Sequence, residues 1–365
     1  MSWWLTVTLH CLMTLAIGVY IIFRFHRFTF IKRLAEKNKI LSWVVVAVPV
    51  LSLGFFAFFN IFAMTIVTLH LAGGVAICDL VACIVRKVSK KDFSYNVQNL
   101  VAILLTVGYL GMGWYFAHHI YATEYTFSTE KNIGSDIRIV SFADLHLGIT
   151  LDGESFAAEM KRVQETDPDV VMIVGDFADD DTKRADMIAA CRALGELNTT
   201  YGVYFVFGNH EQGYFDYRDF TIEDLHCELT KNGVHVLEDE AVLIDDRFYI
   251  VGRCDRSVEG RQDADKLTAD LDKSKYIVLL DHQPNDYDNE AAAGADLVIS
   301  GHTHGGHIFP AGYIGYAIGA NDKEYGTEVR EGTTFVVTSG ISGWAIPFKT
   351  GAVSEFVVID VTPRS

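Results

Sequence analysis

The chain has 365 residues, 50% of them hydrophobic, and a formal net charge of −17 at pH 7. That charge is unevenly spread: residues 1–123 carry ten Lys/Arg against three Asp/Glu, whereas residues 124–365 carry twenty against forty-four. The length accommodates two structural units, and the acidic second part lacks the surplus of Lys/Arg that neutralises nucleic-acid phosphates, so no nucleic-acid partner is expected.

Four apolar runs come first, Trp3–Phe23, Ile40–Phe59, Ile61–Val85 and Val97–Ile120. Each is near the ~20 residues that cross a ~30 Å hydrocarbon core as a helix. Strand-type alternation is absent, so residues 1–120 are expected to form a membrane domain of four transmembrane helices. The first run has no basic leader and no small-residue cleavage site, which argues against a signal peptide. Arg24, Arg27, Lys32, Arg33, Lys37 and Lys39 follow the first run, and Arg86, Lys87, Lys90 and Lys91 follow the third. Basic loops stay in the cytoplasm, which predicts a multi-pass protein of the cytoplasmic membrane with its acidic domain on the extracytoplasmic side. Asp79, His70 and His10 lie at or near membrane depth; Asp79 reads either as a functional group or as an interfacial ion pair with nearby Arg86. Residues 121–136 read as a linker. The six cysteines form no CxxC pair and suggest neither a disulfide framework nor a zinc knuckle.

From Ile137 onward short β-rich runs appear at Ile137–Phe142, Val170–Val174, Val203–Phe207, Phe248–Val251, Tyr276–Leu280, Leu297–Ile299, Thr334–Thr338 and Phe356–Val361. Helical patterns separate the earlier ones, at Glu154–Glu165, Thr182–Leu197, Thr221–Asn232 and Ala264–Leu271. Alternating strands and helices predict an α/β layered domain, and the later run of strands predicts mixed sheets.

Polar clusters with metal-ligand chemistry follow five of these strands: Asp144-Leu-His146, Gly175-Asp176, Gly208-Asn209-His210-Glu211, Asp281-His282 and Gly301-His302-Thr-His304-Gly305-Gly306. Each fragment alone is weak, since a strand-end Asp is usually a cap or turn and a lone His is usually packed in a core. Five of them after five strands, where α/β folds build their sites, point to one shared site.

The ordered set of fragments, within the strings ADLHLG, GDFADD, FGNHE and SGHTHGG, resembles the calcineurin-like metallophosphoesterases, in particular their bacterial membrane-associated branch. The resemblance covers nearly all of residues 137–361 and none of the apolar runs. It implies a four-layer αββα sandwich with mixed sheets and a pair of divalent metal ions. Asp144, His146 and His304 complete one metal position by this resemblance, Asn209, His282 and His302 the other, and Asp176 bridges them. Two cations close together also need a shared carboxylate on chemical grounds. Mixed imidazole and oxygen donors suit manganese, iron or zinc better than calcium. The implied reaction is attack of a metal-bridging hydroxide on phosphorus, with His210 as the catalytic residue that stabilises the transition state or protonates the leaving oxygen.

Other residues leave alternatives open. His307 stands where membrane-associated relatives often carry Gln, and reads as a substrate contact or a surface side chain. Lys349 stands where they often show Arg, which puts anion-binding geometry there in question. Asp179 reads as support for a ligand histidine or as a solvated turn; Asp281, Asp255 and Arg253 are equally open. Tyr214, Phe215 and Tyr217 form an aromatic patch that either lines a lipid pocket or simply packs. The expected activity is hydrolysis of a phosphodiester or pyrophosphate, with a lipid headgroup attractive as substrate because the helices keep the site beside membrane lipids. A phosphomonoesterase or nucleotidase, a silent receptor or scaffold, and a transporter are the competing classes. Oligomeric state and natural substrate are not legible.

Overall fold

A computed structural model of the chain describes residues 3–55, 60–90, 94–213 and 218–364. The described residues fall into two compact units that divide between Trp114 and Tyr115.

The first unit is helical: α1 (Trp3–Phe25), α2 (Thr29–Lys37), α3 (Lys39–Phe55), α4 (Ile61–Ser89) and the start of α5 (Tyr95–His118). Asn60 caps α4, its side-chain oxygen accepting from the Ala63 N–H at 2.8 Å. Helices α1 and α4 run parallel, since Thr14 meets Thr65 (3.1 Å between hydroxyl oxygens) and, farther along both, Arg24 pairs with Asp79. Helix α5 runs the other way: the Asn99 amide reaches the Arg24 carbonyl and the Thr106 hydroxyl the His70 carbonyl. Helix α3 is antiparallel to α1, because Trp43 lies against Phe23 and His26 while Val50 lies against Gly18.

Three helices among the described residues are long and apolar enough to cross a membrane, within Val7–Phe25, Ile61–Ser89 and Tyr95–His118. Of the four expected transmembrane helices, three are therefore met by length and composition among the described residues. Helix α3 is described over 17 residues, and the last residues of the run, 56–59, lie outside the described ones. Asp79 does form an ion pair, but with Arg24 of α1 rather than with Arg86 one helical segment along.

The second unit carries two six-stranded mixed sheets. Strands β1 (Ile120–Thr129), β2 (Ile137–Phe142), β3 (Val170–Val174), β4 (Val203–Val206) and β5 (Val234–Val236) belong to the first sheet, whose order is β1-β12-β2-β3-β4-β5 once β12 (Ser354–Pro363) is added. The second sheet, in the order β10-β11-β9-β8-β7-β6, is built from β6 (Glu240–Ile244), β7 (Phe248–Gly252), β8 (Tyr276–Leu280), β9 (Leu297–Ser300), β10 (Gly326–Arg330) and β11 (Thr333–Val337). Helices α6 (Gly153–Gln164), α7 (Arg184–Gly195) and α8 (Ile222–Lys231) cover the outer face of the first sheet. Helices α9 (Ala264–Thr268) and α10 (Tyr287–Ala292) cover the second, and α11 (Ala311–Ala317) lies beyond β9. Three buried clusters follow from this layering, and the middle one joins Ile139, Met172 and Val206 of one sheet to Ile250, Val278 and Ile299 of the other. The architecture is the expected four-layer αββα sandwich.

Local sequence explains the elements. Strands β3 and β8 read VVMIV and YIVLL with every residue buried, as central parallel strands covered on both faces must be. Helix α6 starts at a reciprocal Asp152–Ser155 cap and buries Phe156, Met160 and Val163, which lie on one face at helical spacing. Helix α8 repeats the device with Thr221 and Asp224 over Leu225 and Leu229.

One boundary needs correction. Residues 121–136 are not a linker: β1 occupies the first part of that stretch and pairs in parallel with β12 from Ile120 against Ser354 to Thr129 against Pro363. It is an edge strand with alternating half-exposed residues, so its Thr, Glu and Ser side chains give it the polarity of a connection.

Candidate dimetal site

Parallel strands place the five polar fragments at one end of the sandwich. Asp144 and His146 leave β2, Asp176 leaves β3, Asn209 and His210 leave β4, His282 leaves β8, and His302 and His304 leave β9. Backbone bonds tie these loops together: Asp144 N–H donates to Gly175 O and His146 N–H to Asp176 O, both at 3.0 Å, and Gly301 N–H donates to His282 O. The His282 ring crosses from one sheet to the other, its Nδ1 lying 2.8 Å from Val174 O.

The side chains meet in two groups. Ligand atoms of Asp144, His146 and His304 lie within 4.8 Å of one another, and so do those of Asp176, His282 and His302. Asp176 Oδ2 reaches both groups, 3.1 Å from His282 Nε2 and 3.7 Å from His146 Nε2. Its Oδ1 accepts from the His210 N–H at 2.9 Å, which fixes the carboxylate plane and the turn that carries Asn209.

The backbone is bent to make this happen. Asp144, His146, Asp176, His302 and His304 all have φ between 39° and 69°, a region that costs a residue with a Cβ about 1–2 kcal/mol. Strain of this kind at five converging polar residues points to function rather than to packing. Two glycines make room: a Cβ at Gly208 would strike the Asp176 carboxylate, and one at Gly301 would come within 2.7 Å of Asp144 Oδ2.

The donor set fits divalent cations. Because Nδ1 of His282 faces the Val174 carbonyl and must donate to it, Nε2 presents a lone pair toward the Asp176 carboxylate. His146 likewise turns Nδ1 to Asp179 Oδ2 at 3.1 Å, leaving Nε2 3.1 Å from His304 Nε2. Acceptors facing acceptors in a buried place call for positive charge between them. Burial pushes the Asp144 carboxyl up to about 6, with the His282 charge opposing and the Asp176 charge reinforcing. Burial also disfavours the Asp176 anion, yet His282, His146 and His210 hold that carboxyl well below the usual range. Burial and the His282 charge lower His302 to about 4, and burial and His146 lower His304 well below the usual imidazole value, so both rings stay neutral ligand donors. Burial disfavours the protonated His282 ring, but the facing Asp176 and Asp144 carboxylates raise it well above its usual value, so by itself this ring takes up the proton whose place a cation would fill.

Asp179 is a clamp for two histidines. Its Oδ2 faces His146 Nδ1 and its Oδ1 faces His210 Nδ1 at 3.0 Å, so each ring turns Nε2 inward. Burial would lower the His210 pKa, but the Asp179 bond and the Asp176 charge raise it to about 9.

Comparison with known proteins agrees with this geometry. The family model for calcineurin-like phosphoesterases matches residues 137–306, from β2 to just past His304. An uncharacterised metallophosphoesterase of Aquifex aeolicus is 33% identical over 247 residues, covering 65% of this chain and 90% of the relative. The chain belongs to the calcineurin-like metallophosphoesterases. A second uncharacterised metallophosphoesterase, from Helicobacter pylori strain J99, is 28% identical over 344 residues, covering 86% of this chain and 90% of its own. That share exceeds the second unit, so the likeness reaches into the helical one. A Bos taurus transmembrane protein with a metallophosphoesterase domain is 29% identical over 234 residues, 60% of this chain and 52% of that one.

Within this metallophosphoesterase fold the open residues find their places. Lys349 is no anion contact: it is fully buried, Nζ donating to Ser339 O at 2.7 Å and Gly340 O at 2.9 Å, and it holds the turn whose Gly340 lies against Asp144. Burial lowers this ammonium to about 7 against the pull of Asp144 and Glu355. His307 stacks on His304 with ring centroids 5.2 Å apart, and burial followed by Lys349 lowers it to about 3. Arg253, Asp281, Asp286 and Arg261 form an ion network behind His282, and Asp255 takes the Gln283 amide; these residues brace the loop. Tyr214, Phe215 and Tyr217 lie outside the described residues.

Two further residues carry roles that the sequence reading did not assign. Glu211 is fully buried and accepts four backbone N–H groups, from Asp176, Phe177, Ala178 and Gly208, which splints the β3 loop to the β4 loop. Its place in the string FGNHE was the available signal. Trp344 roofs His146 and His210, with centroids 6.5 and 5.8 Å away, and had no signal in its own neighbourhood.

Proposed function

We propose that the chain is a dimetal phosphoester hydrolase whose substrate is amphiphilic, a phosphodiester or pyrophosphate carried by a lipid. The observation that carries the hydrolase reading is Asp176 Oδ2 standing between imidazoles of the two groups, 3.1 Å from His282 Nε2 and 3.7 Å from His146 Nε2. Asp144, His146 and His304 hold one ion in this reading, Asn209, His282 and His302 the other, and Asp176 both; manganese, iron or zinc suits the mixed donors. Bound there, the ions neutralise phosphoryl oxygens and acidify water. His210, held through Nδ1 by Asp179, offers an Nε2–H to the leaving oxygen, so the group that departs receives its proton from a fixed donor. Asp179 is the positioning residue for that donor.

The lipid reading rests on a cleft of about 330 Å³ against Gly305 and Gly306 of the metal loop. Phe309, Tyr313, Tyr316 and Tyr325 line it, and all four are exposed. Exposed aromatics in such number beside a polar centre suit a ligand with an apolar body and a phosphate head. Kinetics on bis-p-nitrophenyl phosphate, p-nitrophenyl phosphate and a phospholipid in mixed micelles, each with manganese, test it. The Tyr313→Ser/Tyr316→Ser variant is expected to raise KM for the micellar lipid about tenfold, the loss of two aromatic contacts of ~0.7 kcal/mol each, while turnover of soluble diesters holds. A preference for the monoester, or an unchanged lipid KM, overturns the lipid reading and leaves the dimetal reading standing.

We also propose that the phosphoesterase unit is extracytoplasmic. Helices α1 and α4 are parallel, so the chain must return from the Arg24 end to the Asn60 end before α4 begins, and antiparallel α3 is the segment that makes that passage. Four passages then keep both basic loops on the cytoplasmic side. Protease added to intact spheroplasts should digest residues beyond 118; complete protection refutes this orientation.

A further inference from the structure

A second polar recess lies in the helical unit, far along the sequence from every residue of the dimetal site. It has a volume of about 190 Å³ and is lined by Arg24, Arg27 and Arg86 with Asp79, Tyr95 and Gln98. Among the described residues, three guanidinium groups and one carboxylate line it. Arg24 is the key residue: it is 5% exposed, one of its terminal nitrogens pairs with Asp79, and its Nε–H is buried with no hydrogen-bond partner among the described residues. A guanidinium has five N–H donors, and leaving one buried and unmet is unfavourable. Cations also crowd the Tyr95 ring, with Arg24, Arg27 and Lys32 placed 5.6, 5.3 and 5.6 Å from its centroid. The ring face attracts each cation, but it offers the Arg24 Nε–H no acceptor oxygen. An anion with several acceptor oxygens would meet that donor together with the neighbouring guanidinium groups.

We propose that this recess binds a phosphate group. Phosphate presents the planar forks of neighbouring arginines with acceptors in matching geometry, and basic pockets between helices at the cytoplasmic end of a bundle are where phosphate-bearing headgroups sit. The occupant is an anionic phospholipid or a soluble phosphate monoester; both bring the same oxygens. The site is separate from the hydrolytic one and does not depend on it.

The test is native mass spectrometry of the full chain in detergent micelles containing EDTA, so that cation-dependent binding at the dimetal site is silent. Phosphatidylglycerol is offered against diacylglycerol, which has the same tails and no phosphate. The wild type is expected to retain one phosphatidylglycerol and no diacylglycerol, and Arg27→Gln/Arg86→Gln to weaken retention about tenfold or more. Asp79→Asn removes the competing carboxylate and is expected to strengthen retention, which gives an effect of opposite sign should the double variant fold poorly. Displacement of the lipid by glycerol 1-phosphate identifies a soluble occupant, and persistence of the lipid identifies a headgroup. Equal retention of the two lipids, or retention that neither variant changes, overturns the proposal.

Discussion

Asp176→Asn is expected to empty the dimetal site and lower kcat by about three orders of magnitude or more, which is ~4 kcal/mol of transition-state stabilisation. Asn is isosteric with Asp and keeps an oxygen for the His210 N–H, which now meets Asp176 Oδ1 at 2.9 Å. What disappears is the one negative charge that lies within reach of both ligand groups. With Asn in that place, the first group keeps only Asp144 as an anion and the second keeps none. Two divalent ions side by side cannot be held on so little charge. Against its burial, the attraction of His282, His146 and His210 holds the Asp176 carboxyl well below its usual range; the metal-free variant gives that attraction up, so its Tm is expected to fall modestly while the chain stays folded. Metal analysis after dialysis, turnover and thermal melting on the same preparation decide the matter. A variant that keeps two equivalents of metal would remove Asp176 from its proposed place. So would one that loses activity only because it unfolds.

The convergence of the candidate ligands was legible because its signals are local: each candidate follows a strand, and each strand is a short apolar run that announces itself. What the sequence does not display is how separate loops share a partner. Asp179 lies in a run of three aspartates that reads equally well as a solvated turn, and only the fold brings His146 and His210 to opposite oxygens of its carboxylate. The place of Lys349 is hidden for a related reason. The sequence only put anion binding there in question, and it is burial among three backbone carbonyls that makes the residue a fastener.

The strands divide along the same line. The eight interior strands were visible as β-rich runs, and β1, β5, β6 and β10 were not; these four are the outer strands of the two sheets. An interior strand is apolar on both faces, whereas an outer one pairs on one side and meets water on the other, so its composition drifts toward that of a loop. The amphipathic α2 escaped for the same reason among the apolar helices. Hydropathy finds what is buried all round and passes over what is half exposed.

His210→Ala carries the second large effect: kcat is expected to fall about 10²–10³-fold, within the range for loss of a positioned proton donor, while metal content and KM stay near wild type. The separation follows from geometry. His210 touches the centre through its N–H bond to Asp176, which alanine retains, and through a ring that Asp179 holds by Nδ1 and Trp344 covers. Removing the ring therefore takes away a donor and leaves the ligand groups in place. If the donor serves the leaving oxygen, the loss must depend on the substrate, small for p-nitrophenolate, which departs without a proton, and greatest for an alkoxide, which cannot. Asp179→Asn should show the intermediate case with a different signature. It loosens His210 and His146 together, so a moderate fall in kcat comes with metal affinity weakened roughly 10–100-fold, as for other groups that orient a ligand histidine. Rate measurements on aryl and alkyl diesters, paired with metal titrations, separate the two variants. Equal losses on both ester types in His210→Ala would mean that the ring does not protonate the departing group, and an unchanged kcat would exclude it from the reaction altogether.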